Sequence, residues 1–130
     1  RVPRAWTACD IGRAINPVMA TGQIEGALVQ GMGYALTEEM VWDGARLANP
    51  SLMDYKIPTF AEMPDEQHAY LVESDEPTGP FGAKSVGEIG INTVAAAIGN
   101  GIVDAIGTRL RQLPFTSERV LAAVLAKEQA

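Results

Sequence analysis

The chain has 130 residues, of which 47% are hydrophobic and 20% are charged, a composition typical of a globular protein rather than a disordered one. Ten Lys and Arg residues stand against sixteen Asp and Glu residues, which gives a net charge of −6. This charge argues against nucleic acid as a partner and against an anionic membrane surface, because both attract clustered basic residues.

The first half of the sequence predicts a strand, a long helix and a hairpin. Residues 5–11 mix β-branched, aromatic and small side chains and predict a strand. From about residue 19 to residue 40, apolar residues recur at helical spacing, which predicts a helix. Residues 40–48 predict a hairpin that turns at an Asp-Gly pair. The prolines within residues 49–64 predict irregular structure there.

Four glycines lie inside the predicted long helix, at positions 22, 26, 31 and 33. Each glycine in a helix interior costs about 1 kcal/mol relative to alanine. We therefore expect another backbone or a bulky ligand to lie close to this helix, where side chains would be in the way.

The second half predicts a strand, a long loop and two helices. The strand is expected at residues 67–73, and glycines and prolines predict a loop at residues 74–87. A helix is predicted at residues 88–111, and a last one near the C-terminus with Ser117 as its N-cap and Glu118 in its first turn. The whole predicts an α+β fold, in which two long glycine-rich helices and a short C-terminal helix pack on a few strands.

The cysteine and histidine content excludes several kinds of site. Cys9 is the only cysteine and His68 the only histidine, so the chain cannot form an intrachain disulfide, a cysteine cluster or a histidine-rich metal site. We predict no metal ligand, and a lone thiol suits a cytoplasmic protein. The longest apolar run, residues 94–98, is too short to span a bilayer, and the N-terminus lacks the apolar core of a signal peptide. We therefore expect no membrane span.

The stretch TGPFGAKSVGEIG (residues 78–90) is the most informative part of the sequence, and we name it the glycine loop. A glycine-rich loop before a helix presents backbone N–H groups that favour an anion, although such a loop is also common as a tight connection. A nucleotide-binding P-loop requires glycines at the positions of Thr78 and Ala83. Both positions differ, which argues against that kind of site.

The segment FGAKSVGE (residues 81–88) resembles the loop of the molybdenum hydroxylases, the family of xanthine dehydrogenase and aldehyde oxidase. Three further segments resemble the same family: residues 9–39, DYKIPTF (residues 54–60) and LPFTSERV (residues 113–120). The resemblance therefore covers nearly the whole chain, with its segments in the expected order and spacing. It departs at Ser85 and Gly90, where some eukaryotic members carry alanine and proline, and this favours a bacterial type.

The resemblance implies roles for single residues. Glu88 matches the glutamate beside the molybdenum, which acts as the general base. Gln23 matches a glutamine that hydrogen-bonds the pterin of the cofactor. The loop whose backbone lies against the pterin matches Ala83, Lys84, Ser85, Val86 and Gly87. Taken alone, Glu88 is an ordinary carboxylate at a helix start, where the helix dipole favours negative charge, and Gln23 is an ordinary polar side chain.

The resemblance also implies what the whole protein does. The reaction is the hydroxylation of an aldehyde or an aromatic N-heterocycle, with water supplying the oxygen. Residues 1–130 are then the C-terminal molybdopterin-binding domain of a longer subunit, inactive by itself. The cofactor is a molybdopterin-type molybdenum cofactor, with or without an attached cytosine nucleotide. Iron–sulfur clusters and FAD lie on other domains or subunits, so the partners are the rest of the molybdenum subunit, the iron–sulfur and flavin subunits and a small-molecule substrate.

Three alternatives stay open at this point. The chain could be a noncatalytic relative that only binds the pterin cofactor. It could be a structural relative in which Glu88 and Gln23 have no function. It could also be a phosphate-binding module that uses the glycine loop.

Overall fold

The computed structural model describes residues 1–129, which form two compact units. The first unit combines Arg1–Gly31 with Thr59–Asn92, and the second combines Met32–Pro58 with the chain from Thr93 onward. The elements in chain order are β1 (Arg4–Asp10), α1 (Pro17–Leu36), β2 (Trp42–Asp43), β3 (Arg46–Leu47), β4 (Glu66–Val72), α2 (Val94–Ile106) and α3 (Ser117–Glu128). Short 3-10 turns occur at Phe60–Glu62, Pro80–Gly82 and Ile89–Ile91.

The first unit contains a parallel pair of strands and most of α1. Strands β1 and β4 pair in register from Arg4 opposite Glu66 to Asp10 opposite Val72. Side chains alternate across the pair, so one face of each strand is exposed and the other is covered. Asn16 caps α1, since its side-chain oxygen accepts a hydrogen bond from the N–H of Met19 at 3.1 Å.

The core of the first unit lies where β1 and its following turn meet α1. Four buried residues form its centre: Cys9, Ile11, Ala20 and Ile24. Five partly buried residues pack against them: Ala14, Ala69, Leu71, Val86 and Ile89. Burial raises the pKa of the Cys9 thiol, so this cysteine behaves as a small apolar side chain. Two residues of the glycine loop, Val86 and Ile89, are therefore part of the core.

The second unit joins the end of α1 to α2, α3 and the β2–β3 hairpin. The backbone N–H of Phe115 donates to the carbonyl of Ala35 at 2.6 Å, which satisfies an acceptor in the last turn of α1. The ring of Phe115 lies against Gly99 of α2, where a Cβ atom would lie 3.2 Å from the ring. Arg119 donates to Glu39 at 2.6 Å and to the carbonyl of Pro114 at 2.8 Å. The LPFTSERV segment thus has a structural role here.

The segment DYKIPTF also contacts the end of α1. The hydroxyl of Tyr55 donates to Glu38 at 2.6 Å, and this hydrogen bond to a carboxylate raises the pKa of Tyr55 to about 12. Thr37 donates to the carbonyl of Lys56 at 2.8 Å. Gly33 has no room for a side chain, because its Cβ position is taken by the Glu38 carboxylate and lies 2.7 Å from Pro58. One of the four helix glycines is therefore explained by close packing inside this unit.

The predicted fold class is confirmed, and the boundaries of the three helices are corrected. The predicted helix at residues 88–111 is α2, which begins only at Val94, after a 3-10 turn, and ends at Ile106. It ends there because Gly107 adopts a left-handed conformation, with φ 69°. Helix α1 ends at Leu36, since the N–H groups of residues 37 and 38 both donate to the Gly33 carbonyl. The N-cap of α3 is Thr116, whose hydroxyl accepts from the N–H of Arg119 at 3.3 Å, rather than Ser117.

One apolar stretch bears on the expectation that the chain has no membrane span. By length and composition alone, the window Ile89–Ile106 meets the criterion for a membrane-spanning helix. A single such window is weak evidence, because core helices of soluble proteins meet the same criterion. Only the 13 residues of α2 within it are α-helical, which is about 20 Å at 1.5 Å per residue, against about 30 Å for a bilayer core. The α-helical part alone is therefore shorter than the hydrocarbon layer.

Candidate active site

The start of the glycine loop is joined to the turn that follows β1. The N–H of Lys84 donates to the carbonyl of Ile11 at 2.8 Å, and the N–H of Arg13 donates to the carbonyl of Gly82 at 2.7 Å. Gly12 lies between these two bonds with φ 61°, and the carbonyl oxygen of Gly82 occupies the space that a Cβ atom would need. Glycine is therefore required at position 12 for both its conformation and the close approach.

Asp10, the last residue of β1, adds a side-chain connection to the same loop. Its carboxylate accepts hydrogen bonds from Nζ of Lys84 at 2.7 Å, from Oγ of Ser74 at 2.8 Å and from the N–H of Gly12 at 3.0 Å. These bonds, with that from Lys84 the strongest cause, lower the pKa of the Asp10 carboxyl to about 2. Asp10 is therefore a carboxylate at neutral pH, and the Lys84 ammonium is paired with it.

The end of the glycine loop is held by the core on both sides of Glu88. Val86 and Ile89 pack against the core of the first unit, whereas Gly87 and Glu88 are exposed. Gly90 is buried against α1, where an added Cβ would lie 2.9 Å from the Cβ of Ala27. The loop therefore presents Glu88 outward between two inward-facing apolar residues.

Glu88 itself does not lie at the start of a long helix. It precedes the 3-10 turn Ile89–Ile91, and α2 begins six residues after it. A three-residue turn has few aligned peptide dipoles, so the predicted stabilisation of this carboxylate by a helix dipole is wrong. Within residues 1–129, the Glu88 side chain forms no hydrogen bond or ion pair. It is an exposed carboxylate that is available to a ligand.

Gln23 lies on the part of α1 that the end of the glycine loop approaches. Gly90 is close to α1 at Ile24, where its Cβ position lies 3.5 Å from the Ile24 carbonyl oxygen. Gln23 precedes Ile24 and is exposed, and Glu88 lies two residues before Gly90. Gln23 and Glu88 are therefore close in sequence to Ile24 and Gly90, the two residues that meet at this contact.

Two features of this region suit a ligand rich in hydrogen-bond acceptors. In the described part of the chain, the backbone N–H groups of residues 85–88 have no hydrogen-bond partner. Apart from their neighbours in the chain and the backbone of their own helix, no described atom lies within 4 Å of the Cβ positions of Gly87, Gly22 and Gly26. A neighbouring backbone is therefore not the reason for these glycines within this structure, and a ligand or further protein has room there. By contrast, the N–H of Lys84 is already used by Ile11 and that of Ala83 by Pro80.

Three supporting residues were not predicted from the sequence: Asp10, Ser74 and Gly90. A signal existed only for the first, because an Asp two residues before a glycine often accepts the N–H of that glycine in a tight turn. The described residues contain no group of three or more His, Cys, Asp and Glu side chains that could hold a metal ion. His68 is an exposed residue of β4, and its Nε2 lies 2.9 Å from a carboxylate oxygen of Glu66.

The chain is similar to known proteins along most of its length. Residues 1–64 match the family described as the molybdopterin cofactor-binding domain. The chain is 42% identical over 121 residues to the xanthine dehydrogenase molybdenum-binding subunit of Escherichia coli O157:H7, covering 92% of this chain and 16% of that protein. It is 37% identical over 123 residues to the aldehyde oxidoreductase molybdenum-binding subunit PaoC of Escherichia coli K12, covering 93% of this chain and 17% of that protein.

The fold is also similar to that of a solved structure. The crystal structure of quinoline 2-oxidoreductase from Pseudomonas putida 86 matches with a TM-score of 0.83 and 31% identity, over 92% of this chain and 16% of that chain. The chain therefore spans about a sixth of the length of these proteins.

Proposed function

This chain belongs to the family of the molybdenum-binding subunits of xanthine dehydrogenases and aldehyde oxidoreductases, and we propose that it supplies the general base and part of the pterin site of such an enzyme. The reaction is the hydroxylation of an aldehyde or an aromatic N-heterocycle with water as the oxygen source. Xanthine, aldehyde and quinoline enzymes among its relatives support this range of substrates. Glu88 is the proposed base.

The residues of the glycine loop fit a molybdopterin cofactor. The ring carbonyl and the phosphate oxygens of the cofactor are hydrogen-bond acceptors, and residues 85–88 offer successive N–H donors without partners in the described chain. Gly87 leaves open space beside them. The exposed amide of Gln23 can both donate and accept, which suits the edge of a pterin ring. When bound, the cofactor supplies a metal centre that accepts two electrons from the substrate.

Ala83 and Lys84 differ from the other residues of the loop that are predicted to bind the cofactor. Their N–H groups are used inside the chain, and the ammonium of Lys84 is paired with Asp10. We therefore propose that they shape the start of the loop, while Ser85, Val86 and Gly87 contact the pterin through their backbone.

The exposure and support of Glu88 carry the assignment of the base. A general base must reach the proton that it removes and must not be occupied by another partner. The Glu88 carboxylate is exposed, has no partner in the described chain, and is held between Val86 and Ile89. In the proposed reaction, one Oε atom accepts a proton from the water-derived nucleophile, and the fixed loop keeps that atom in place.

The remaining functions belong to other parts of the protein. We propose that further segments of the molybdenum subunit complete the cofactor and substrate sites, and that iron–sulfur and flavin groups on other domains or subunits take the electrons. Cys9 is buried and is the only cysteine, so this chain cannot ligate an iron–sulfur cluster alone. Trp6 and Tyr70 are large, exposed side chains on the outer face of β1 and β4. We propose that another part of the protein packs on this face.

The substitution Glu88→Gln in the complete enzyme tests this proposal. Glutamine is nearly isosteric, so we expect the fold and the cofactor to be retained, with a change in stability within about 1 kcal/mol. The proton acceptor is lost, so kcat should fall by about 10²–10⁴, and kcat/KM should fall with it. The measurement is steady-state and single-turnover kinetics on protein with a molybdenum content matched to that of the wild type. A fully loaded variant that keeps more than about a tenth of the wild-type kcat would show that Glu88 is not the base.

A further inference from the structure

We propose that Asp10 is a positioning residue for this reaction: its carboxylate fixes the Lys84 ammonium and thereby holds the glycine loop in the position that presents Glu88. The inference rests on the proposed function of Glu88. It concerns a residue that lies 78 positions before Glu88 in the chain and whose carboxylate binds Lys84, Ser74 and Gly12 rather than Glu88.

The hydrogen bonds of Asp10 connect three separate parts of the first unit. Its carboxylate binds the side chain of Ser74 just after β4, the side chain of Lys84 in the loop and the backbone of Gly12 in the turn after β1. The Lys84 and Asp10 side chains are only 33% and 44% exposed. This pair is therefore better shielded than the Arg1–Asp65 pair of the same unit, in which both side chains are 62% exposed.

The position of this cluster along the loop links it to the base. Lys84 is held at both its backbone and its ammonium. Only Ser85 separates it from Val86, which packs on the core. Glu88 follows two residues later. A shift at Lys84 is therefore transmitted to the stretch that carries the base, because there is little free chain between them to absorb it.

The charge of Lys84 gives Asp10 a second effect. With Asp10 ionised, the ammonium is neutralised by an opposite charge at 2.7 Å. Without that partner, a cation on a long flexible side chain lies four residues from an exposed carboxylate, and it can form an ion pair with Glu88. Such a pair would occupy the base. Both effects predict that loss of the Asp10 charge lowers the rate of the chemical step more than it weakens substrate binding.

The test compares variants of the complete enzyme at matched molybdenum content. We expect Asp10→Asn to lower kcat about tenfold or more, since small misplacements of reacting groups have effects of this order, with KM changed less than about twofold. Asp10→Glu should recover part of the loss, because it restores the carboxylate. Asp65→Asn, which breaks the exposed pair with Arg1, should leave kcat unchanged. The double variant Asp10→Asn/Lys84→Met should be no slower than the slower of its two single variants.

Hydrogen–deuterium exchange of the same proteins gives a readout that does not depend on turnover. In Asp10→Asn, peptides that cover residues 82–88 should exchange faster, whereas peptides of α3 should exchange as in the wild type. Wild-type kcat in Asp10→Asn, unchanged exchange in the loop, or additive effects of the Asp10 and Lys84 substitutions would each overturn the inference. Glu88→Gln is measured alongside to separate the two proposals. If Glu88→Gln is active, both the proposed function and the inference about Asp10 are wrong. If Glu88→Gln is inactive while Asp10→Asn has wild-type activity, only the inference about Asp10 is wrong.

Discussion

Gly90 shows how a single residue sets the position of the candidate base. It lies two residues after Glu88 and is buried against α1, so that a Cβ would come within 2.9 Å of the Cβ of Ala27 and 3.5 Å of the Ile24 carbonyl. Carbon atoms without a bond between them are at optimal separation at about 3.5–4.0 Å. Glycine at this position therefore permits a contact between the end of the loop and α1 that no other residue permits without movement.

We predict that Gly90→Ala in the complete enzyme impairs both stability and turnover. The added methyl must push the 3-10 turn away from Ala27, and overpacking of this kind costs about 1–3 kcal/mol. Since the turn follows Glu88 directly, kcat should fall by about 10²-fold if the displacement approaches 1 Å. Thermal unfolding and kinetics at matched molybdenum content measure the two effects.

The double variant Ala27→Gly/Gly90→Ala is the matched control, because it moves the methyl from one side of the contact to the other. It should recover most of the kcat lost in Gly90→Ala, although glycine in α1 costs about 1 kcal/mol of stability. If the double variant is as slow as the single one, or if Gly90→Ala is fully active, the contact with Ala27 does not position the base.

At the scale of elements, the glycine loop continues into a 3-10 turn rather than directly into α2. In an α-helix beginning at Glu88, the dipole would have favoured the carboxylate. In the observed turn the carboxylate gains little from a dipole, and its position depends on Val86, Ile89 and Gly90 instead. The N–H groups of residues 85–88, which no helix uses, remain available as donors.

We predict that Gly87→Val in the complete enzyme lowers molybdenum loading with little loss of stability. Apart from its chain neighbours, no described atom lies within 4 Å of the Cβ position of Gly87, and its φ is outside the left-handed region. Valine should therefore change the free energy of unfolding by about 0.5 kcal/mol or less. A bound pterin would meet the new side chain, and loading should fall several-fold. Metal analysis and thermal unfolding of the same samples measure the two quantities.

Gly101→Ala is the companion to this variant, because Gly101 also faces open space but lies in α2. The Gly101→Ala variant should keep the molybdenum content of the wild type. Wild-type loading in Gly87→Val would show that the loop is an ordinary connection, and equal losses in both variants would show that the effect is not specific to the loop.

At the scale of the whole molecule, we propose that the chain supplies only part of a site. It spans about a sixth of the length of its relatives, and the proposed site consists of one carboxylate, one exposed amide and one stretch of backbone donors. Binding sites for small ligands commonly enclose about 70–90% of the ligand surface. Gln23, Gly87 and Glu88 are exposed in this chain, so we propose that other protein supplies the rest of the enclosure.

We predict that the 130-residue chain alone holds the cofactor weakly and has no turnover. The chain is produced in a host that makes the molybdenum cofactor, and the purified protein is assayed for molybdenum, pterin and activity. The complete enzyme from the same host is the control for cofactor supply. Stoichiometric molybdenum in the isolated chain would contradict the prediction.

The sequence by itself determined the type and order of the main elements. Strands β1 and β4, the helix α1, the hairpin and the final helix lie within a few residues of their predicted places, because the spacing of apolar residues and the preferences of Gly, Pro and Asp are local properties of the chain. The motifs also indicated Glu88 and Gln23, through resemblance rather than through periodicity. Spacing could not show where α2 begins, since the apolar pattern runs on through the 3-10 turn.

The tertiary structure decided which of these residues meet and what holds them. Asp10 binds Lys84 across 74 positions of sequence and Ser74 across 64, and Gly90 reaches α1 at Ala27. Contacts of this kind depend on how the elements pack. The approach of Gly90 to α1 requires a residue without a side chain at position 90, and the hydrogen bonds of Asp10 require donors that are distant in sequence. Packing, rather than local preference, thus fixes the loop on both sides of an exposed glutamate.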